Sequence, residues 1–584
     1  MTQVEGGLDE PEELEPEQGT LDLADAGDRW AVADWEQAAA AVLRKARRMT
    51  DEDPDGLVWD KLTRTTLDGI GVTPLGTRAL LDDLETQGRP LRSGDWDIRA
   101  HLSGADAKAA NEAALVDLEG GVTSLWVEAD AGTDLATLLD RVLLDLAPVV
   151  LDAPGAPVAV AEAFLAHSGD RDLAAGTNLG VSGEAAEGDL VAVAELARRA
   201  GTLGVVVDAT VVHDRGASDA QELAHSLAVG VRVLRVLTGA GLSVEEAARL
   251  VEFRYAATDE QFPTIAKLRA ARRLWARVLE LSEASSQETH GWAQRQHAVT
   301  SRPMMSKYDP WVNMLRTTVA AFAAGVGGAD AVTVLPFDTP LGVPDGFGRR
   351  IARNTSALLI SESHVARVAD PAGGAYAVEK LTDDLARAAW ELFGRLEAGE
   401  SLDGLVAATV EKREAEIARR TRPLTGLTEF PNLDETLPER PADPTAREVR
   451  RYGASFEALR DEPATGHVFL ATLGTVADHT ARATFAANLF AAGGIAVDPA
   501  GPTAGVDELV AAYDEQAVVC LAGSDPTYAE WGAEAATALR EAGARHVIIA
   551  GKPAALSGAG SVDDSCAVGV DALDFLTRTR EKLA

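Results

Sequence analysis

The sequence has few of the residues on which several classes of protein depend. Cysteine occurs only twice in 584 residues, as Cys520 and Cys566, and two thiols alone cannot form a disulfide framework or a thiolate metal cage. No run of about 18 apolar residues occurs, so the sequence predicts no membrane-spanning helix. The first residues lack the basic start and apolar stretch of a secretory signal. We therefore expect a cytoplasmic protein.

Basic residues are also scarce. Lys and Arg number 54 against 92 Asp and Glu, which gives a net charge of -38. Nucleic acids and anionic membranes attract proteins through basic surfaces, so we expect neither as a partner. The ten histidines show no metal-ligand spacing such as HExxH, and we expect no metal site.

The hydrophobic content of 46% and the charged content of 25% are typical of a globular protein. At roughly 150 residues per domain the length would allow about four domains, or two large units with connecting arms. Residues 1–28 contain ten acids and no Lys or Arg, which predicts a disordered acidic tail. Residues 29–99, with a helix through 32–48, are predicted to form an N-terminal arm for subunit contact.

Helix and strand patterns alternate regularly over residues 100–400. Short apolar runs bounded by Gly, Asp or Pro are typical of buried parallel strands. The runs that show this pattern are Val122–Ala129, Pro148–Leu151, Leu203–Val207 and Ala331–Leu335. Helices are predicted between them, including 105–118 and 133–145. The repetition predicts an eight-stranded parallel (β/α) barrel, an α/β fold.

Two barrel helices carry specific predictions. Asp309 is a candidate N-cap before Pro310, and Gly325 is a candidate left-handed cap at the end of that helix. Helix 259–281 has one apolar stripe, predicted to be buried, and one basic stripe, interpreted as a solvated face or a docking face. The apolar stripe is Phe262, Ile265, Leu268, Ala271, Trp275 and Val278, and the basic stripe is Lys267, Arg269, Arg272, Arg273 and Arg277.

Apolar content falls over residues 401–465, where a helix near 404–420 is followed by five prolines between residues 423 and 444, and this segment is predicted to be a linker. Residues 466–584 then show five strands and alternating helices, which predicts a doubly wound, flavodoxin-like sheet. The predicted strands are His467–Leu473, 495–498, Ala517–Ala522, His546–Ala550 and a short one near Ala567–Val570.

Several barrel motifs carry a resemblance to a known family. They are Lys267–Trp275, the run from His297 to Thr317, Arg349–Thr355 (RRIARNT), Glu362-Ser363 and Val368–Thr382 (VADPAGGAYAVEKLT). Together these motifs resemble the methylmalonyl-CoA mutase family, and the resemblance extends from about Trp30 to the C-terminus. It implies a coenzyme A-binding barrel, a cobalamin-binding flavodoxin-like domain, and interconversion of methylmalonyl-CoA and succinyl-CoA through an adenosylcobalamin radical.

The barrel departs from the catalytic pattern of that family. Catalytic chains carry a Tyr-His pair after a barrel strand, and aligning the following glycine on Gly216 places Thr210 and Val211 at those positions. Val211 cannot hydrogen-bond a thioester carbonyl or transfer a proton. His213 lies two residues further on, and we expect it to bond to neighbours such as Asp214. The polar Gln of the family's Gly-Thr-Ile-Gln-Asn segment is replaced by Leu179.

The C-terminal region departs from the family pattern as well. Cobalamin-binding chains carry Asp-x-His-x-x-Gly, in which the His ligates cobalt and the Asp orients its ring. The aligned positions here are Ala477, His479 and Arg482, so the site is degenerate and no cofactor is expected on this chain. We interpret His479 as a surface helix residue rather than a cobalt ligand.

The resemblance and the departures together imply a small, non-catalytic chain of a heterodimeric methylmalonyl-CoA mutase. Such a chain would support a large subunit that carries the adenosylcobalamin. Two other hypotheses remain: a self-sufficient acyl-CoA mutase, and a free-standing scaffold that binds a repair chaperone or GTPase.

Overall fold

A computed structural model describes residues 30–82, 84, 92, 94–103, 105–282, 294–443, 446–556 and 562–584. The predicted acidic tail, residues 1–28, lies outside the described residues. The chain divides into two units. The first consists of the residues up to Thr65 together with Gly71–Leu75, and the second consists of Thr66–Ile70 together with Gly76–Ala584.

The first unit is small and helical. Its helices and its antiparallel strand pair are α1 (Val32–Lys45), α2 (Val58–Leu62), β1 (Arg64–Thr65) and β2 (Gly71–Val72). Trp35 and Trp59 pack with ring centroids 4.6 Å apart, and Trp59 Nε1 donates to Glu36 Oε1 at 2.7 Å. This contact joins the two helices around a core that includes Ala40, Leu43, Met49 and Val58.

Eight parallel strands close into a barrel in the second unit, which confirms the predicted barrel fold. In chain order they are β3 (Asp97–Ser103), β4 (Ser124–Glu128), β5 (Val149–Asp152), β6 (Asn178–Ser182), β7 (Leu203–Asp208), β8 (Val251–Ala257), β9 (Arg295–Thr300) and β10 (Ala331–Thr333). Each strand pairs with the next along the chain, and β10 pairs with β3 to close the ring. The first barrel strand begins at Asp97, close to the arm–barrel boundary drawn at residue 99.

Helices lie between and after these strands. They are α3 (Ala107–Glu119), α4 (Leu135–Leu138), α5 (Pro157–Ser168), α6 (Glu187–Ala200), α7 (Thr210–Asp214), α8 (Asp219–Gly239), α9 (Val244–Arg249), α10 (Gln261–Leu281), α11 (Val312–Val326), α12 (Gly346–Ala357) and α13 (Tyr376–Glu397). A π-helical turn, Leu358–Glu362, continues α12.

Three helix boundaries differ from the sequence prediction. The helix predicted over 133–145 is only the single turn α4, because Arg141 adopts a left-handed conformation with φ 62°. The prediction of Asp309 as an N-cap was wrong, since its own φ is 46° and α11 begins after Trp311. Gly325 lies within α11, and the left-handed residue beyond the helix is Gly328 with φ 87°.

The burial of the two stripes of α10 also differs from the sequence prediction. Phe262, predicted to be buried, is 58% exposed, whereas the rest of the apolar stripe is buried. Three of the five basic residues are not solvated, because Lys267, Arg269 and Arg272 are 0%, 1% and 6% exposed, whereas Arg277 is exposed as predicted. Each of the three buried residues has a partner on another element: Lys267 Nζ donates to Glu222 Oε2 at 2.6 Å, and Arg269 donates to Glu379 Oε1 at 2.6 Å. Lys267 and Arg269 are buried because α8 and α13 supply matching carboxylates, whereas Arg272 donates to the Gln296 side chain and the Gly327 carbonyl.

Two helices, α14 (Leu402–Ala418) and α15 (Ala454–Asp461), flank the predicted linker. A five-stranded parallel sheet follows, in the order β12-β11-β13-β14-β15. Its strands are β11 (Val468–Thr472), β12 (Val497–Pro499), β13 (Val518–Ala522), β14 (His546–Ala550) and β15 (Asp564–Cys566). Its helices are α16 (Val476–Ala492), α17 (Val506–Ala511), α18 (Asp525–Thr527), α19 (Ala533–Glu541) and α20 (Ala572–Leu583), and a π-helical turn, Tyr528–Gly532, joins α18 to α19.

This strand order is the flavodoxin-like one, so the second fold prediction is confirmed. The last strand lies at Asp564–Cys566, three residues before the predicted position near Ala567–Val570, because Asp571 already caps α20. Over the described ranges, no helix combines the length and apolarity needed to cross a bilayer.

Candidate functional site in the barrel and at the sheet edge

Charged side chains meet at the carboxyl end of the barrel, where barrel folds place their active sites. Arg254 on β8 lies at the centre of this group and is 1% exposed. Its Nη1 donates to Asp208 Oδ2 at 2.9 Å and to Asp152 Oδ2 at 3.3 Å. Its Nε donates to His297 Nδ1 at 3.2 Å. Burial first, and then nearby arginines such as Arg99, hold the pKa of His297 well below its ordinary value, so the ring stays neutral.

A fourth charged side chain reaches this group from the linker. Arg447 donates to Asp152 Oδ2 at 3.0 Å and to Asp208 Oδ2 at 3.2 Å, so it shares both carboxylates with Arg254. Burial alone would raise the pKa of Asp208, but the charges of Arg254 and Arg447 outweigh it and hold the pKa well below the usual value. The linker thus supplies a cation that neutralises the acids at the ends of β5 and β7.

Trp126 on β4 provides the apolar surface on which this group packs. Its ring lies 3.9 Å from the Arg254 guanidinium and 5.5 Å from that of Arg447, within the range of cation–π attraction. The imidazole ring of His101 also packs against the Trp126 indole, with the ring centroids 4.3 Å apart. Trp126 Nε1 donates to Asp152 Oδ2 at 3.1 Å, which fixes the orientation of the indole.

A cavity of about 860 Å³ adjoins this group, between β3, α3, α12 and the linker. Its wall includes His101, whose Nε2 lies 3.0 Å from Glu128 Oε1. Burial raises the pKa of Glu128, but the hydrogen bond and charge of His101 bring it down to about 2. Arg447 also lines this cavity, so the linker forms part of its wall.

The predicted barrel positions lie close to this group. Thr210 begins α7 directly after β7, is 1% exposed, and donates from both its amide and its hydroxyl to Asp208 Oδ1. Val211 packs against an apolar cluster that includes Val212, Val406 and Val410. Leu179 lies in β6 and is 1% exposed. None of these side chains offers an acid, a base or an imidazole.

His213 has different partners from those predicted. It lies within helix α7 and is 3% exposed. Its Nε2 lies 2.7 Å from Ser301 Oγ, and its Nδ1 lies 3.5 Å from Glu222 Oε2. The neighbour predicted to bond it, Asp214, pairs with Arg302 at 3.2 Å instead. The one-turn helix turns His213 towards β9 and α8 rather than towards its sequence neighbours.

The carboxyl edge of the C-terminal sheet begins with a well-capped helix. Thr475 and Asp478 form a capping box, in which the Thr475 amide and hydroxyl both donate to Asp478 Oδ2, at 2.9 and 2.6 Å. Helix α16 therefore starts at Val476 and includes Ala477 and His479 in its first turn. The interpretation of His479 as a surface residue was wrong, since it is only 8% exposed. Within the described part of the chain, neither ring nitrogen has a hydrogen-bond partner.

Arg482, one turn further along α16, crosses the crevice between the ends of β11 and β13. Its Nη1 donates to the Gly523 carbonyl oxygen at 2.7 Å, and its Nη2 pairs with the carboxylate of Asp525. Its guanidinium lies 4.9 Å from the centre of the Tyr528 ring. A Cβ added at Gly551, which follows β14, would lie 3.4 Å from Cζ of the Arg482 guanidinium. Arg482 therefore occupies the topological switch point, where doubly wound sheets bind their ligands.

Comparisons with known proteins identify the family of this chain. The methylmalonyl-CoA mutase family model matches residues 198–515. The methylmalonyl-CoA mutase small subunit of Streptomyces virginiae is 46% identical over 94% of this chain and 96% of that protein. A probable small subunit from Mycobacterium tuberculosis is 42% identical over 90% of this chain and 93% of that protein. The small subunit of Propionibacterium freudenreichii subsp. shermanii is 34% identical over 97% and 96%.

The chain belongs to the methylmalonyl-CoA mutase family.

The residues at the carboxyl edge of this chain's C-terminal sheet do not fit cobalamin. A ligating imidazole needs an orienting hydrogen-bond partner on its second nitrogen, whereas the nearest acid in sequence, Asp478, is committed to Thr475. The crevice that a corrin would enter is crossed by Arg482.

Sequence reasoning missed most of the charged group in this mutase-family barrel. Asp152 and Asp208 did give a signal, because each directly ends a buried apolar strand at the carboxyl edge. Arg447 gave none, since it lies in a linker more than 150 residues from the strands it contacts.

Proposed function

We propose that this chain is the small, non-catalytic subunit of a heterodimeric methylmalonyl-CoA mutase. The large subunit would bind adenosylcobalamin and interconvert methylmalonyl-CoA and succinyl-CoA, with both chains in the cytoplasm. The observation that carries the proposal is the position of Arg482, which fills the crevice where a cofactor of this family would have to enter.

The barrel supports the same proposal. At the two positions where the resemblance places the catalytic Tyr and His, Thr210 bonds to Asp208 and Val211 packs against aliphatic side chains. Neither residue can polarise a thioester carbonyl or transfer a proton to a substrate. In the same barrel, Arg447 and Arg254 satisfy the carboxylates of Asp152 and Asp208.

In this proposal the residues of the chain bind and orient protein elements rather than a substrate. The arginines pair with the carboxylates of Asp152 and Asp208, so the barrel forms a fixed support. Adenosylcobalamin would supply the radical chemistry on the partner subunit.

Co-expression of this chain with the large subunit from the same organism tests the proposal. We expect the two chains to co-purify at equal stoichiometry, and we expect mutase activity from the pair but not from this chain alone. Turnover of methylmalonyl-CoA by the purified lone chain with added adenosylcobalamin would show a self-sufficient mutase. Failure to form a complex under conditions that support the large subunit's activity would contradict the subunit proposal.

A further inference from the structure

The cavity of about 860 Å³ extends along the outer side of β3 and opens at the carboxyl end of the barrel. Its volume is within the range of small-molecule sites. Arg99 on β3 faces the barrel interior, where its Nη1 donates to Glu252 on β8 at 2.8 Å. Because side chains alternate along a strand, the positions on either side of Arg99 face outwards. The outward-facing residues of β3 that line the cavity are Ile98, Ala100 and Leu102.

The opposite wall of the cavity is helix α3, which presents small side chains to it. Ala109, Ala110 and Ala113 line the cavity and share one side of the helix, since residues three and four apart are neighbours. Ala352 on α12 and Leu335 after β10 continue the apolar wall. The space between β3 and α3 exists because these alanines are short, and its walls suit an apolar ligand.

The cavity is long in the direction of α3. Asp106 and Asp117, at the two ends of this helix, both line it. They are 11 positions apart in the sequence, which corresponds to roughly 16 Å of helix. A ligand that fills this length between two apolar walls is an extended chain.

Two arginines of α12 line the cavity at the Asp117 end. Arg353 Nη1 donates to Asp117 Oδ1 at 2.9 Å, and Arg349 Nη2 pairs with Oδ2 of the same carboxylate. Asp117 is 3% exposed, so one buried carboxylate serves two guanidinium groups and one positive charge is left over. Gly120 helps to hold Arg353 in place, because a Cβ there would collide with the guanidinium. A second anion at this arginine pair would balance the remaining charge.

The other charged groups that line the described part of the cavity have partners elsewhere or lie away from this pair. Asp106 accepts the amides of Lys108 and Ala109 at the start of α3, and Glu128, at the end of β4, lies 3.0 Å from His101 Nε2. Asp443 is in the linker. The remaining arginines pair with acids outside the cavity: Arg99 with Glu252, Arg302 with Asp214, Arg447 with Asp152 and Asp208, and Arg451 with Glu457.

We propose that this cavity binds an extended aliphatic carboxylate. The carboxylate is bound at Arg349 and Arg353, where two guanidinium groups supply charge-assisted hydrogen bonds, and the aliphatic chain lies between β3 and α3. This assignment adds a small-molecule site to the chain, and it does not depend on the role of the chain as a subunit.

Titration calorimetry of the full-length chain with decanoate tests the assignment of the head group. We expect one decanoate to bind per chain, with 1-decanol at least about tenfold weaker and decylamine weaker still. Arg353→Gln should weaken decanoate binding by at least about tenfold and should change 1-decanol binding by less than about threefold. Arg350→Gln is the control, because Arg350 is exposed on the same helix and does not line the cavity, and it should leave both affinities unchanged.

Ala113→Phe tests the assignment of the aliphatic chain, because the larger side chain would fill the space beside β3. We expect it to weaken the binding of decanoate and of 1-decanol by at least about tenfold each. Ala107→Phe is the control, since Ala107 is half-buried on the same helix and does not line the cavity. Circular dichroism checks that each variant folds, and Ala113→Phe decides the matter if Arg353→Gln does not.

Three results would overturn the proposal. The first is the absence of saturable decanoate binding by the unmodified chain, and the second is equal affinity for decanoate and 1-decanol. The third is unchanged decanoate binding by Ala113→Phe, which would place the ligand elsewhere on the chain. None of these results bears on complex formation with the large subunit, so the proposed function stands or fails separately.

Discussion

Single buried ionisable residues show how the fold uses groups that are reactive in other settings. His213 is an imidazole close to the barrel mouth, yet Ser301 and Glu222 surround it and its side chain is almost fully buried. Asp68, on the turn Thr66–Ile70, bonds to Ser218 Oγ and accepts from the Ala220 amide at 3.3 Å. Both residues hold elements together in this structure.

Replacement of His213 by Ala should leave catalysis by the assembled heterodimer nearly unchanged. We expect turnover of methylmalonyl-CoA within about threefold of normal, because a displaced imidazole cannot supply the alignment that catalysis needs. The free energy of unfolding should fall by about 1–3 kcal/mol, since a buried ring is removed and Ser301 Oγ keeps only the weaker bond from the Met304 amide at 3.3 Å. Substitution of the exposed His467 by Ala is the control. A loss of turnover above about 100-fold in an intact complex would show that His213 takes part in the chemistry.

Asp68 should make stability depend on pH. Burial, and then repulsion by Asp219, raises the pKa of Asp68 from 3.8 to about 6. The folded state therefore binds this proton more tightly than the unfolded state, so the contribution of Asp68 to stability falls as pH rises from about 4 to 6. Asp68→Asn should remove this contribution, and its stability relative to the unmodified chain should rise by about 1–3 kcal/mol between pH 4 and pH 7.

Urea unfolding of both proteins at the two pH values measures this difference. Substitution of the exposed Asp60 by Asn provides the control. A difference between Asp68→Asn and the unmodified chain that does not change with pH would show that Asp68 is ionised throughout this range.

At the scale of elements, the linker is bonded to the barrel rather than merely joining two domains. Arg447 pairs with acids at the ends of β5 and β7. The Arg450 amide donates to Asp214 O at 2.8 Å, and the Tyr452 amide donates to Pro303 O at 2.8 Å. Residues 447–452 thus lie across the carboxyl end of the barrel.

Arg447→Ala should loosen this segment. Loss of one cation leaves Asp152 and Asp208 with Arg254 alone, and we expect a destabilisation of about 1–3 kcal/mol, because the side chain of Arg447 is partly exposed. Hydrogen exchange at residues 446–452 should become at least about tenfold faster. Arg450→Ala is the control, since Arg450 pairs with Glu414 at the surface. Equal exchange rates in the two variants would show that the segment is held by its backbone bonds alone.

At the scale of the whole molecule, the chain combines a closed parallel barrel with a flavodoxin-like sheet, and arginines lie at the carboxyl ends of both. The barrel is closed and its mouth is neutralised by the linker. The C-terminal sheet has the flavodoxin-like order, but Arg482 crosses its switch point.

The isolated chain should therefore take up no stoichiometric adenosylcobalamin. Arg482 blocks the crevice, and no hydrogen bond orients His479 among the described residues. Titration followed by the corrin absorbance, with the large subunit as the positive control, measures this. One tight site per chain would contradict the prediction and would require α16 to rearrange.

The sequence by itself determined the two folds, their order and the family. Strand–helix alternation, apolar runs ended by Asp, and local capping residues are properties of short segments, so they can be recognised without tertiary information. The replaced residues Thr210, Val211 and Arg482 were also visible in the sequence, because they differ from a motif at fixed positions.

Only the tertiary structure decided which charges are buried and what they contact. The basic stripe of α10 was predicted to be a solvated or docking face, but Lys267 and Arg269 are buried because α8 and α13, at other places in the sequence, bring carboxylates to them. Arg447 reaches Asp208 across 239 residues of chain, and His479 is buried although its helix begins at a surface cap. Pairing between distant segments depends on how the elements pack, and the pattern of any one segment does not contain that information.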